Sequence, residues 1–212
     1  MKALRKWLVV VAAMAGTGGY AGIGKGEDLR VVVIINNQAG YADAVVAGAM
    51  DVSGRVFRQA GVLVTWQEAA EGPVYDQGAD LLINLARAAG TVMGIEGTGF
   101  AAAPVDGRPG YLIWVFRPAV DKVLDGRWLP VPRSALLPKL LGHVIAHEMG
   151  HLLGMNRKHA SEGLMKANWH KAEIQLAYQG KLRFSEDECE KIRLAVRARN
   201  ALPYRAIHEE RR

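Results

Sequence analysis

Apolar positions change their period several times along this chain. Residues 30–36 form an unbroken run of mostly β-branched side chains, too short for a helix and suited to a strand buried on both faces. Residues 37–40 read as a turn. Over residues 42–60 the apolar side chains of Val45, Val46, Ala49, Val52, Val56 and Phe57 recur at three- and four-residue spacing, which predicts a long amphipathic helix ending before Gly61. Residues 62–66, 81–85 and 111–116 are further strand-length runs, with Glu71-Gly72-Pro73 marking a loop between the first two. The stretch 90–110 is rich in glycine and alanine, and within it residues 100–105 fit either a short edge strand or a surface loop. Residues 119–128 suit a short helix or a lid.

The second half of the chain is more strongly helical. A helix is predicted to start between Ser134 and Pro138, because proline is tolerated only in a helix's first turn. Leu140, Leu141, Val144, Ile145, Leu152 and Leu153 make it apolar around much of its circumference, the mark of a buried helix. Residues 166–180 form a connector of helical character. Ser185, with Glu188 three residues later, is a capping box opening a last helix that runs to about Arg199 and docks through Ile192 and Val196. Residues 203–212 are a charged tail. The pattern predicts a single α/β domain over residues 22–202: a twisted mixed sheet of about five strands, a long backing helix, a buried central helix and a C-terminal helix.

Composition adds three constraints. Lys2, Arg5 and Lys6 precede an apolar run over residues 7–15 and then small residues, which is the layout of a secretory signal peptide ending near residue 21 and too short to span a bilayer comfortably. An uncleaved anchor or a hydrophobic first strand is the competing reading. Removing those cations lowers the formal charge of +6 to nearer +3, and the remaining bases are interleaved with acids, so no basic stripe suggests nucleic acid. Cys189 is the only cysteine, so no intrachain disulfide is possible and the core alone must stabilise the fold. A secreted or periplasmic monomer without a stable membrane span is expected.

Chemistry concentrates in His147-Glu148-Met149-Gly150-His151, followed by Gly154, His159 and Gly163-Leu164-Met165. On a helix His147 and His151 lie one turn apart and project from one face, so two imidazoles can reach one ion with Glu148 beside them. A catalytic zinc site uses three protein ligands and keeps a position for water. A glycine just past the helix can take positive φ and turn the chain back. Gly154 would thereby return His159 as third ligand, with Glu162, His170 and Glu173 as fallbacks. Bound zinc lowers the pKa of water towards roughly 7. Glu148 would then accept its proton and pass it to a leaving amine. His143, one turn before His147, is read as a structural histidine, with an outer or substrate-side role as the alternative.

This segment resembles the metzincin clan of zinc peptidases, whose pattern is H-E-x-x-H-x-x-G-x-x-H followed by a methionine-containing turn. His147, Glu148, His151, Gly154 and Met165 fall on that pattern, while Arg157 occupies the usual third-histidine position and His159 follows two residues later. Most of residues 22–202 is similar to secreted bacterial proteins with the same longer loop. The resemblance implies a zincin-like α+β fold, one catalytic Zn2+, Met165 as an apolar floor under the metal, and hydrolysis of a peptide or protein substrate. It also implies that the edge strand, residues 99–104 including Gly99, Phe100, Ala101 and Ala102, pairs with an extended substrate. No tyrosine immediately follows the methionine turn, and Tyr178 is a distant possibility as oxyanion donor. An exported zinc-binding module without proteolytic activity is the competing function.

Overall fold

The computed structural model describes residues 29–68, 79–87, 98–102, 111–126, 130–156 and 158–201. The signal-peptide segment 1–21, the loop at 71–73, residues 103–105 of the expected edge strand, Arg157 and the tail 203–212 lie outside them. The described residues form a mixed α/β fold with a five-stranded sheet and five α-helices.

The β-branched run becomes β1 (Arg30–Asn37), flanked in parallel by β2 (Leu63–Glu68) on one side and β3 (Leu81–Ala86) on the other. β5 (Leu112–Phe116) adds in parallel to β3, and the short β4 (Gly99–Ala101) closes that side antiparallel to β5, giving the order β2-β1-β3-β5-β4. β4 is thus an edge strand, resolving the choice between strand and loop for residues 99–101. The long backing helix α1 (Asp43–Gln59) buries Ala49, Val52, Val56 and Phe57, the side predicted by their spacing. The segment read as a short helix or lid forms α2 (Arg117–Asp125).

Helix α3 (Arg133–Gly150) packs along α1, and every residue from Leu140 to Gly150 is buried. It starts just ahead of the expected window, so Pro138 falls in its second turn. There the missing N–H removes one internal hydrogen bond. The ring is accommodated because it lies against Gly48 of α1, where a Cβ would come within 2.9 Å of it. The connector carries α4 (Lys171–Gln179), and α5 (Glu186–Asn200) opens on the expected capping box: Ser185 N–H donates to Glu188 Oε2 at 2.8 Å and Glu188 N–H to Ser185 Oγ at 3.3 Å. Ile192 and Val196 dock it on the core, both fully buried. No helix among the described residues is long and apolar enough to cross a membrane.

Candidate metal centre

Regular α-helix ends at Gly150, and the next five residues, His151–Met155, form a wide π-type turn that breaks helical geometry at Leu153 (φ −109°, ψ 40°) and Gly154. Gly154 takes φ +123°, and a Cβ there would stand 2.8 Å from the backbone oxygen of Lys191 on α5. Both the left-handed backbone and the close approach therefore require glycine. The chain then turns back through Asn156, itself at φ 51°, and returns His159 beside the helix. Ala160 N–H donates to Met165 carbonyl at 2.9 Å, tying the histidine-bearing loop to the methionine turn.

The result is a cluster of His147, His151 and His159 whose nearest ring nitrogens all lie within 4.8 Å of one another, a group able to hold a metal ion. His147 is buried, His151 partly buried and His159 exposed. The rings of His151 and His159 meet edge to face at 4.8 Å, and those of His147 and His159 stack at 5.4 Å. The remaining ligand candidates do not join them. Glu173 accepts from Lys166 Nζ at 2.7 Å and from His170 N–H at 2.8 Å, and the lysine bond holds its carboxyl below the usual range. His170 and Glu162 are exposed and outside the cluster.

Two carbonyls orient His147 and His151. Nδ1 of His147 lies 2.7 Å from Leu164 carbonyl oxygen, and Nδ1 of His151 lies 2.5 Å from that of Asn156. A carbonyl only accepts, so each Nδ1 carries the proton and each Nε2 is left with a lone pair. These two Nε2 atoms face each other at 3.1 Å. Neither can donate to the other, so the pair is repulsive unless a cation lies between them. Two nitrogens bound tetrahedrally to zinc at about 2.05 Å would be about 3.3 Å apart, close to what the rings already adopt. Burial, followed by the neighbouring His151 and His159, lowers the His147 pKa to about 4, and burial then His159 lower that of His151. Both rings are therefore neutral, as ligands must be. The donor set fits a metal ion.

Glu148 projects from the same helix beside His147, is 5% exposed and has no hydrogen-bonding or ionic partner among the described residues. Desolvation alone raises its pKa to about 8. Its side chain lies directly under the edge strand: a Cβ on Gly99 would approach Glu148 Oε1 to 2.5 Å and its Cγ and Cδ to 2.6 Å. Ala102 N–H donates inward to Leu112 carbonyl and Thr98 carbonyl accepts from Phe116, so by antiparallel alternation Gly99 and Ala101 turn their backbone groups to the open edge. Phe100 pairs with Trp114.

Met165 is 1% exposed, and its sulfur lies where a Cβ on Gly150 would come within 2.8 Å. It therefore packs against the helix backbone between the two helical histidines. Tyr178 is directed elsewhere, with Lys139 Nζ 4.1 Å from its ring centroid. Lys139 precedes His147 by about 12 Å of helix rise, which keeps that tyrosine away from the ligands. His143 is buried with Nδ1 2.7 Å from Lys139 carbonyl oxygen, and its Nε2 is buried without a hydrogen-bond partner among the described residues.

Three contributors were not apparent from sequence. Trp169 presents an edge to His147 at 5.8 Å, and its indole N–H donates to Leu164 carbonyl at 3.2 Å, the same oxygen that orients His147. Arg199 of α5 donates to Leu152 carbonyl at 3.0 Å within the π turn. Lys191 supplies the backbone against which Gly154 closes. Only Trp169, four residues past the methionine, left a sequence signal.

No protein-family model matches the chain and no curated protein matches it, so the functional reading rests on the site's own geometry.

Proposed function

We propose that the protein is a secreted zinc-dependent endopeptidase of metzincin type. The observation that carries this reading is the pair of carbonyl-oriented Nε2 lone pairs converging beside a buried carboxyl group with no partner among the described residues. Metal binding alone accounts for the histidines but not for Glu148, whose burial without a partner is unfavourable. A general base beside the metal accounts for it. Imidazole donors in a three-ligand set favour zinc among the common ions.

His147, His151 and His159 would hold the zinc, which would supply Lewis acidity towards a carbonyl and a bound water. Glu148 receives the proton of the attacking water and hands it to the departing amine. Its place beside His147, buried away from solvent, suits both halves of that transfer. Gly99 and Ala101 offer outward backbone groups to an extended peptide, adding a strand to the sheet edge and aligning it over Glu148. Gly99 leaves room for the carboxylate, since any side chain there would displace it. Met165 and Trp169 keep the rings in place. Export is supported by the charge and apolar pattern of residues 1–21.

Elemental analysis of purified protein, wild type beside Glu148→Gln and His159→Ala, combined with digestion of an unbiased peptide library, tests the proposal. We expect one zinc per chain in wild type and Glu148→Gln, reduced zinc in His159→Ala, and cleavage lowered by about 10²- to 10⁴-fold in Glu148→Gln. Full zinc without cleavage by wild type would leave an exported zinc-binding module. Full zinc in His159→Ala would remove that histidine from the ligand set.

A further inference from the structure

A cavity of about 320 Å³ opens directly beside the histidine cluster, between α2, α3 and the segment carrying Trp169. That volume accommodates a whole side chain. His147 forms part of its wall, so whatever fills the cavity lies against the metal ligands. Val123, Leu140 and Val144 make an apolar lining suited to a hydrocarbon body, while Lys122, Lys166 and Asn168 supply the polar groups. No carboxylate lines the cavity among the described residues.

The two cations are not equivalent. Lys166 is bonded to Glu173 at 2.7 Å, so its charge is balanced inside the protein. Lys122 is exposed on α2 and has no carboxylate partner among the described residues. The acids nearest it in sequence are already taken: Asp121 pairs with Arg117 at 3.4 Å and with Arg133 at 2.7 Å, and Asp125 pairs with Arg133. Among the described residues, the cavity therefore joins apolar walls to a lysine that no carboxylate balances. Such a site favours an anionic group on an apolar stem and repels a basic one.

Building on the peptidase reading, we infer that this cavity is a carboxylate-recognising subsite in which Lys122 selects substrates carrying an anion on the residue lodged beside His147. Either a side-chain carboxylate or the free carboxylate of a chain end satisfies this chemistry. The first selects acidic residues within a chain, and the second makes the site read chain termini.

The test is calorimetric titration of the full-length, zinc-loaded Glu148→Gln protein, which reads binding without turnover. The probes are end-capped peptides differing only in Glu, Gln or Lys at one position, together with the Gln peptide bearing a free C-terminal carboxylate. We expect a carboxylate-bearing probe to bind about three- to tenfold more tightly than the capped Gln peptide, and the Lys peptide more weakly than either. A gain with the capped Glu peptide assigns the site to side chains. A gain confined to the uncapped peptide assigns it to chain ends. Adding Lys122→Gln should abolish the gain while leaving zinc content unchanged. Equal affinities, no binding by any probe, or a preference that survives Lys122→Gln would overturn the proposal. Wild-type cleavage without acidic preference would leave the peptidase reading standing and the subsite fallen. Carboxylate-selective binding without cleavage would do the reverse.

Discussion

His147 lies in the buried end of α3 and His151 follows one turn later, at the first residue of the π turn and partly buried, whereas His159 stands exposed on an irregular loop. The helical pair is aligned by the 3.6-residue repeat, and each of its rings is pinned by a carbonyl. The loop histidine depends on a π turn, a glycine at φ +123°, a non-glycine residue at φ 51° and a tie between Ala160 and Met165. A binding site can thus be half rigid repeat and half assembled loop. The rigid half is preorganised, and the loop half carries the strain and the exposure.

The widest separation between the halves is expected in metal affinity. His147→Ala removes a buried, carbonyl-oriented ligand from the preorganised pair, and zinc should fall below about a tenth of an equivalent. His159→Ala leaves that pair intact and should retain weak binding, measured by competition with a chromophoric chelator. Equal losses would show that the loop is as well ordered as the helix.

A second contrast is in pH. In metal-free protein the Glu148 pKa is raised to about 8 while the unfolded chain titrates near 4.5, so its contribution to stability is intact below 4.5 and is lost as pH rises towards 8. His147 acts oppositely: its folded pKa is lowered to about 4 from 6.5, so stability falls as pH drops through that window. Replacing Glu148 with Gln should remove only the first slope. Denaturant unfolding of chelator-treated protein should therefore show Glu148→Gln equal to wild type near pH 4 and more stable by a few kcal/mol, on the order of the linkage energy, near pH 8. An advantage that did not grow with pH would contradict this account.

Gly154→Ala probes the loop half. It forces a side chain into a left-handed backbone and against Lys191, and should cost about 2 kcal/mol in thermal or denaturant unfolding while lowering zinc affinity with it. The smallest expected effect is at Gly99 on β4. Gly99→Ala should retain zinc and fold but slow cleavage by roughly tenfold, as the carboxylate of Glu148 is pushed from its seat. Unchanged kcat/KM would show that the strand yields instead.

Much of the architecture was legible because periodicity is local physics. The β-branched run of β1, the spacing of Val52, Val56 and Phe57 on α1, and the Ser185–Glu188 box each report a structure set by nearby residues. The helical half of the site was legible for the same reason. Pro138 was misleading because its cost is met by a glycine on another helix, ninety positions earlier in the chain. Residues 99–101 were ambiguous because a three-residue strand takes its identity from its partner β5.

By itself the sequence determined that His147 and His151 lie one helical turn apart on one face with Glu148 beside them, and that a glycine able to turn the chain back follows. Only the tertiary structure decided that His159 joins them while Glu173 pairs with Lys166. It also decided which tautomers the rings hold, that Gly99 lies on Glu148, and that Lys122 lines the cavity with no carboxylate partner among the described residues. The reason is physical: helix spacing is fixed by bonds between residues four apart. The carbonyls, close approaches and unbalanced charges of this site come from segments that meet only when the chain is folded.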